Sequence, residues 1–177
     1  LQQGQLDRAV REAQKWLAIS TELDNPFVLT WYLGFLGVIA LAQGDTRGAK
    51  THYLRALQQA ERIDFKRMIL ICSELLCTLA LKDNDIAQAE EFSLAYLRIS
   101  REGGQAREQL AALRDLASVY LAQGNLAQAL ELLPVVLNHP ISEQNSMNHP
   151  IPMRVEAEEM RAQIEAQLDP ALYEAAW

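Results

Sequence analysis

The chain has 177 residues, of which 50% are hydrophobic and 22% are charged, so it can bury a sizeable core and is not globally disordered. Its formal net charge is −7, and its Lys and Arg residues are scattered rather than clustered. This argues against a nucleic-acid-binding surface, which needs concentrated positive charge to neutralise phosphates. Strong helix formers such as Ala, Leu, Gln, Glu and Arg dominate the sequence and favour an all-α fold.

The predicted elements recur along the chain with a period of 40 residues. A four-residue pattern marks each copy: Leu1-Gln-Gln-Gly4, Leu41-Ala-Gln-Gly44, Leu81-Lys-Asp-Asn84 and Leu121-Ala-Gln-Gly124. Apolar positions downstream of this pattern keep the same phase, namely Ala9, Ala49, Ala89 and Ala129, and then Leu17, Leu57, Leu97 and Leu137. A period kept over four copies without slippage predicts a helical-repeat architecture.

Each copy reads as two helices, named here helix A and helix B. In the second copy, helix A is predicted over Pro26–Gln43, a turn over Gly44-Asp45, and helix B over Thr46–Arg62. Asn25 is expected to cap helix A, since Pro suits the first helical position. The caps predicted for helices B are Asp45, Asp85 and Asn125, and the left-handed turn residues before them are Gly44, Asn84 and Gly124.

Apolar residues at three- and four-residue steps give each helix one stripe for its own partner helix. The stripes of the second copy are Leu33, Leu36, Gly37 and Ala40 on helix A, and Ala49, Tyr53, Ala56 and Leu57 on helix B. Each pair keeps a second apolar face that only a neighbouring pair can bury, so the pairs are expected to stack into a solenoid.

Three positions depart from this pattern. Asn84 replaces the turn glycine and Ser73 replaces an apolar stripe residue, so the middle copy is expected to be looser. Pro134 lies inside a helix B and is expected to kink it or end it early.

Three features of the sequence bear on the compartment. The charge-free stretch Phe27–Ala42 is shorter than the about 20 apolar residues of a membrane span, so it is interpreted as a buried helix, and Leu1–Gln14 is too polar for a signal peptide. Cys72 and Cys77 lie on different faces of a predicted helix, so they are interpreted as small buried hydrophobes rather than a disulfide. Thiols without a disulfide framework suit a reducing compartment, so a cytoplasmic protein without membrane contact is expected.

The repeat resembles a known family. Leu36-Gly37, then Gln43-Gly-Asp45, then Ala49 and Ala56 resemble the tetratricopeptide signature, and the longer period is similar to the variant found in bacterial regulators of the STAND (signal-transduction NTPase) class. The segments Ala129–Pro140 and Leu168–Trp177 resemble the closing segment of such proteins. The resemblance implies a right-handed α-solenoid of antiparallel helix pairs with a C-terminal capping helix pair.

Three regions are predicted on this basis. Residues 1–138 form the repeats, of which the first is truncated to its helix B; residues 139–152 form a Pro-rich loop; and residues 153–177 form the capping helices. The inward stripe of the first capping helix is expected to be Val155, Met160, Ile164 and Leu168. Because Leu1 reads as the tail of a helix A, the chain is expected to be a fragment of a longer array, with an exposed apolar edge that includes Trp16. The Pro-rich loop is either a plain connection to the cap or a mobile binding element.

No catalytic constellation is visible, so no enzyme activity, cofactor or metal is expected. The chain contains no P-loop sequence, and Gly103-Gly104 has no strand before it that could present a phosphate cradle. His139 and His149 flank the Pro-rich loop, but a metal site needs three or four convergent ligands. The pairs Glu90-Glu91 and Glu158-Glu159 point apart on a helix and are interpreted as solvated faces.

A binding role is better supported by the repeat phase. In a solenoid of this family the A helices usually line the concave side, which implies a groove that orients a peptide or ligand. The candidate residues for this groove are Trp31, Val38, Ile71, Glu74, Thr78, Lys82, Arg114 and Ser118. Trp31 and Arg114 are the strongest of these, because Trp and Arg are enriched at binding hot spots. The alternative is that the apolar members belong to the core and the charged ones to an ordinary surface.

The leading functional hypothesis is a sensor or interaction arm of a STAND-type regulator, in which an upstream NTPase domain of the same chain performs the switching. The alternatives are a freestanding adaptor or a peptide-pheromone receptor. The partner is expected to be a protein, a peptide or a small inducer, and the truncated N-terminal edge is expected to allow a homodimer.

Overall fold

A computed structural model describes residues 10–12, 15, 18, 25–143 and 152–167, and in this part of the chain every regular element is helical. The protein forms two compact units, Leu1–Leu79 and Ala80–Trp177. The helices with defined ends are α1 (Pro26–Ala42), α2 (Thr46–Arg62), α3 (Lys66–Lys82), α4 (Ile86–Glu102), α5 (Ala106–Ala122), α6 (Leu126–Leu137), a 3₁₀ helix (Pro140–Glu143) and α7 (Met153–Glu165). The predicted all-α fold of repeated helix pairs is confirmed.

The helices follow a stricter rule than the predicted period. From α1 to α6 each helix begins twenty residues after the previous one, so the 40-residue repeat consists of two halves of equal length. The turns between these helices are also equivalent, because the middle residue of each has a positive φ, between 51° and 79°. These residues are Gly44, Asp64, Asn84, Gly104 and Gly124.

One hydrogen bond closes each of these turns. The amide of the residue after the left-handed one donates to a carbonyl five residues earlier, as in Asp45 N to Ala40 O at 2.9 Å and Asn125 N to Tyr120 O at 2.8 Å. The left-handed residues predicted between helices A and B are confirmed. The left-handed conformation of Asp64 is not predicted, because aspartate, unlike glycine, does not indicate a left-handed position.

The predicted helix caps are confirmed. The Asn25 side chain accepts a hydrogen bond from the Phe27 amide at 3.0 Å, and Asp45 accepts one from the Gly48 amide at 2.8 Å. Asp85 and Asn125 cap their helices in the same way. The Gln128 side chain does not accept a hydrogen bond from the Asn125 backbone amide, as it would in a complete capping box. That amide already donates to the Tyr120 carbonyl in the preceding turn.

Tyr53 of α2 lies at the centre of the first unit. It is 1% exposed and packs against Gly37 of α1, where an added Cβ would lie 2.7 Å from ring atoms Cδ1 and Cζ. Gly37 is therefore small because the Tyr53 ring fills the space that a side chain would need. The stripe residues Leu33, Ala40, Ala49 and Ala56 are buried around this contact, as predicted.

The Tyr53 hydroxyl is a weak point of this core. It is buried and has no hydrogen-bond partner in the described part of the chain. Leaving a buried hydroxyl unsatisfied costs about 1–3 kcal/mol. We expect Tyr53→Phe to raise the free energy of unfolding by about 1 kcal/mol, measured by urea denaturation. Tyr32→Phe, at a half-buried position of α1, is the control and should change stability by less than about 0.5 kcal/mol. A destabilised Tyr53→Phe protein would contradict the prediction.

Both cysteines are buried thiols rather than a disulfide, as predicted. Burial raises the pKa of the Cys72 thiol to about 12, and burial together with the neighbouring Cys72 raises the pKa of Tyr53 to about 12. The ordinary values are 9.0 for the thiol and 10.0 for the phenol, so the unfolded chain loses these protons first as the pH rises.

The contribution of these two groups to stability should therefore be constant below pH 9 and fall as the pH rises from 9 towards 12, because only the folded state retains both protons. The measurement is the urea midpoint as a function of pH, and Tyr53→Phe should lose less stability above pH 10 than the wild type. The Cys72 thiol should also react with a disulfide reagent at pH 8 far more slowly in the native protein than in denaturant. Equal rates would show that the thiol is accessible.

Pro134 shortens α6, as predicted. The helix ends at Leu137, whereas α4 continues to Glu102 at the equivalent stage of its own repeat. The missing proline amide removes one helical hydrogen bond, and the helix closes within a turn of it. The 3₁₀ helix follows, with the Ser142 hydroxyl donating to the His139 carbonyl at 2.6 Å.

Helix α7 lies within the predicted C-terminal cap, but its buried face differs from the predicted one. The buried side chains are Met153, Ala157, Met160 and Ile164, whereas Val155 is 40% exposed. The inclusion of Val155 in the inward stripe was wrong, because the stripe starts at Met153 and continues in steps of three and four residues. Leu168, the last member predicted, lies outside the described residues, as do Trp16, His149 and Asp169–Trp177.

Among the described helices, none combines the length and the apolar character needed to cross a membrane.

Candidate interaction surfaces

Five large apolar side chains form an exposed stripe along α1, here called the α1 stripe. They are between 37% and 48% exposed, and they are Phe27, Trp31, Phe35, Val38 and Leu41. Helix α1 contains no charged residue. Isolated exposed hydrophobic residues are common, but a contiguous stripe along one helix is characteristic of an interaction surface.

Three aromatic rings build the N-terminal end of the α1 stripe. The ring of Phe65, in the turn before α3, lies 5.2 Å from Phe27 and 5.9 Å from Trp31, and both contacts are edge-to-face. Such contacts hold the rings in fixed orientations although part of each ring stays in solvent. Trp31, a predicted site residue, is therefore positioned by its neighbours.

Helix α3 lies beside α1 in the first unit. A Cβ added at Gly34 of α1 would lie 3.5 Å from Met68 Sδ of α3, which is ordinary van der Waals contact. Of the predicted site residues on α3, Ile71 and Thr78 are half-buried and Glu74 is 6% exposed. The Thr78 hydroxyl donates to the Glu74 carbonyl at 3.1 Å within its own helix. Lys82, at the end of α3, is exposed and belongs to the second unit.

Arg114 of α5 forms a charged cluster inside the second unit. It is 3% exposed, and its Nε and Nη2 atoms lie 3.0 and 2.6 Å from Asp115 Oδ1. Its Nη1 atom lies 3.0 Å from Glu156 Oε2 of α7. Asp115 is also buried, whereas the Glu156 side chain is 27% exposed. Arg114 thus faces two carboxylates of its own chain, and the second of them comes from a distant segment.

Ser118 lies one helical turn beyond Arg114 and also faces α7. Its hydroxyl is 3.2 Å from Met160 Sδ and 3.1 Å from the Arg114 carbonyl oxygen. The two predicted site residues of α5 are therefore brought together by the structure, and α7 covers them. Helix α7 therefore covers the predicted concave face of α5. The residue of α1 that is equivalent to Ser118 in the repeat is Val38, and it is exposed.

Helix α7 stands on α5 as α3 stands on α1. Gly34 and Arg114 are each the ninth residue of their helix, and they meet the third residue of α3 and the fourth residue of α7, respectively. Helix α7 thus takes the place of the helix A of a further pair. The contact is apolar in the first case and ionic in the second.

Some residues of these surfaces were not among the candidates. The spacing in the sequence places Phe27 and Phe35 on the same helix face as Trp31, but it does not show that this face is exposed. Phe65 lies in a turn whose geometry was not expected. Glu156 gave no sequence signal, because its contact with Arg114 lies outside the regular spacing of the repeat.

No group of three or more His, Cys, Asp or Glu residues that could hold a metal ion occurs within the described ranges. His139 is engaged in local structure, because its Nδ1 atom accepts a hydrogen bond from the Ile141 amide at 3.2 Å.

Comparisons with known proteins are consistent with this architecture. The chain matches no protein-family model and no curated protein sequence. Among solved structures it is similar to BtubC (BKLC) from P. vanneervenii, with a TM-score of 0.52 and 20% sequence identity over 97% of this chain and 78% of that chain. At this level of identity the similarity concerns the fold alone, and it supports an all-α helical-repeat fold for the protein.

Proposed function

We propose that the protein is a non-catalytic binding module whose partner lies on the α1 stripe. The observation that carries this proposal is the row of five exposed large apolar residues on a helix without charges. A partner that covers the row removes apolar area from water, which stabilises the complex by roughly 25 cal/mol per Å². Trp31 and Phe35 are the expected anchors, because partly buried aromatic residues dominate binding energy at interfaces.

The spacing of the stripe favours a helical partner. Its members follow each other at steps of four, four, three and three residues, which average 3.5. This is the repeat of a seam that packs knobs-into-holes against another helix. The stripe from Phe27 to Leu41 is about 21 Å long, at 1.5 Å per residue. An amphipathic helix of about four turns covers this length, with apolar anchors at its i, i+3, i+4 and i+7 positions.

The test is selection of binders from a phage library of random 16-residue peptides on the full chain. Val38→Glu places a charge in the middle of the stripe, and Leu54→Glu is the matched control on α2, where Leu54 is 41% exposed. We expect peptides with apolar residues at heptad spacing that bind the wild type and the Leu54→Glu variant and lose at least tenfold affinity for Val38→Glu. Enrichment that ignores Val38→Glu, or the absence of enrichment, would refute the α1 stripe as the site.

The finer identity of the module rests on the sequence resemblance. The tetratricopeptide-like motifs and the 40-residue period support a tetratricopeptide-type solenoid that serves as the sensor or interaction arm of a STAND-type regulator in the cytoplasm. The partner of such an arm is a protein, a peptide or a small inducer. A freestanding adaptor and a peptide-pheromone receptor are the alternatives.

The reading frame upstream of Leu1 distinguishes these roles. A P-loop sequence followed by further 40-residue repeats would support the regulator arm. A start codon within one or two repeats, without an NTPase, would support the adaptor or the receptor.

A further inference from the structure

We propose that the face of α5 that carries Arg114 and Ser118 is an acceptor site for an acidic amphipathic helix, that α7 fills this site in the folded chain, and that a partner helix of the same chemistry displaces α7. All residues of this acceptor site belong to the second unit, so its test does not depend on the α1 stripe.

This face of α5 can recognise specific side chains. The guanidinium of Arg114 is held on one side by Asp115 and offers Nη1 to a carboxylate on the other side, where Glu156 takes it at 3.0 Å. One helical turn further, Ser118 meets the Met160 thioether at 3.2 Å. A helix that fits therefore needs a glutamate followed four residues later by methionine or a residue of similar shape.

Helix α7 is joined to the preceding helix by a longer segment than the other helices are. Each helix from α2 to α6 follows a three-residue turn that is closed by a hydrogen bond to the preceding helix. Helix α7 instead follows the longer segment from Asn138 to Pro152, which includes the 3₁₀ helix. Because no such turn joins it to α6, α7 can leave its place while α5 and α6 keep all their turn hydrogen bonds.

The charged contact of Arg114 with Asp115 and Glu156 contributes little net binding energy. Burying a guanidinium costs desolvation energy, which the ion pairs with Asp115 and Glu156 largely offset rather than exceed. When α7 leaves, Arg114 regains water, so the charged contact adds discrimination more than affinity. The ion pairs that Arg154 of α7 forms with Glu143 and Glu158 are exposed, so these two contribute little to holding α7.

The affinity of an occupant then comes from its apolar stripe. In α7 this stripe is Met153, Ala157, Met160 and Ile164, all buried against the second unit. A partner helix competes with α7 when it carries such a stripe together with a glutamate next to it, in the position of Glu156. The partner is thus recognised by the pattern that α7 itself displays.

The test uses the full chain and a fluorescein-labelled synthetic peptide of residues 152–167 as the probe. The variant Glu156→Ala/Met160→Ala weakens α7 without changing α5. We expect this variant to bind the peptide at least tenfold more tightly than the wild type in fluorescence anisotropy, because its own α7 competes less. Hydrogen exchange should show that α7 amides become less protected while α5 amides do not.

Peptide variants keep the test independent of protein folding. A Glu156→Gln peptide should bind the weakened protein at least tenfold less tightly, whereas a Glu159→Gln peptide, with the same charge change at an exposed position, should bind as the parent does. Equal loss for both peptides, or no binding of the parent peptide, would overturn the acceptor site. A concentration-dependent dimer of the weakened protein without peptide binding would show that a second copy, rather than a partner helix, takes the place of α7.

Discussion

Replacing Gly37 by alanine is expected to destabilise the first unit by about 1–3 kcal/mol, although alanine is the better helix former by about 1 kcal/mol. The new Cβ would lie 2.7 Å from Cδ1 and Cζ of Tyr53, closer than carbon atoms approach in folded proteins. Tyr53 is 1% exposed, and its ring is rigid, so it cannot move aside without disturbing the core. The steric cost therefore exceeds the gain in helix propensity.

Gly34 is the matched control on the same helix. A Cβ there meets Met68 Sδ and Cε at 3.5 and 3.6 Å, which is ordinary contact with a flexible side chain. Gly34→Ala should therefore stabilise the protein by up to about 1 kcal/mol through helix propensity alone. Urea denaturation of the two variants gives the comparison, and a stabilised Gly37→Ala protein would show that Tyr53 is not fixed where the structure places it.

A double substitution identifies the cause. If the Tyr53 ring opposes the new methyl group, Gly37→Ala in a Tyr53→Leu background should cost much less than in the wild type, because the shorter side chain leaves room. The difference between the two backgrounds is the coupling energy of the pair, which lies between about 0.5 and 3 kcal/mol for residues in contact. Additive effects would point to a backbone cause instead.

The turns show which parts of the fold the sequence could predict. Gly44 and Gly124 could be predicted as left-handed, and Asn84 less strongly, because few residues tolerate a left-handed backbone. Asp64 adopts the same conformation, although an aspartate is also common in caps and right-handed turns. The equal length of all half-repeats forces it there, and that regularity is visible only once the helix ends are known.

The exposure of α1 could not be predicted, for a different reason. Almost every position of α1 is apolar, so periodicity does not distinguish a face that packs from a face that is left open. The charge-free sequence therefore predicts a fully buried helix, and for the α1 stripe that prediction is wrong. Only the packed neighbours decide, and they leave Trp31 and Val38 partly exposed.

The repeat also failed to predict the surroundings of Arg114 on α5. The prediction places each residue of α5 in the surroundings of the equivalent residue of α1. It assumes that equivalent positions have equivalent surroundings, so Arg114 was expected to face a ligand as Trp31 does. In the structure α7 covers this part of α5, and α7 begins 27 residues after the start of α6 rather than the regular twenty. A contact between residues 42 positions apart, outside the regular spacing, leaves no periodic trace.

Replacing Arg114 by methionine is expected to destabilise the second unit by about 3–5 kcal/mol, the range for breaking a buried ion pair by removing one partner. The Asp115 side chain is 7% exposed and would keep its charge in a low-dielectric environment without the guanidinium. Glu156 suffers less, because its side chain is 27% exposed and water reaches it. Most of the loss should therefore arise at Asp115. Denaturation followed by amide exchange in α5 and α7 measures the effect.

Arg154→Met applies the same chemical change to the exposed ion pairs of α7 and should cost less than about 1 kcal/mol. Removing both buried charges, in Arg114→Met/Asp115→Asn, should recover part of the stability lost in Arg114→Met, because position 115 then no longer holds a buried charge that has lost the guanidinium. Recovery would assign the loss to Asp115, and its absence would assign it to the packing of the Arg114 side chain. Either way, weaker partner binding by an Arg114 variant cannot be attributed to a lost contact until its stability is known. Substitutions on the α1 stripe, such as Val38→Glu, are therefore the cleaner probe of partner binding, since that side chain is already 47% exposed.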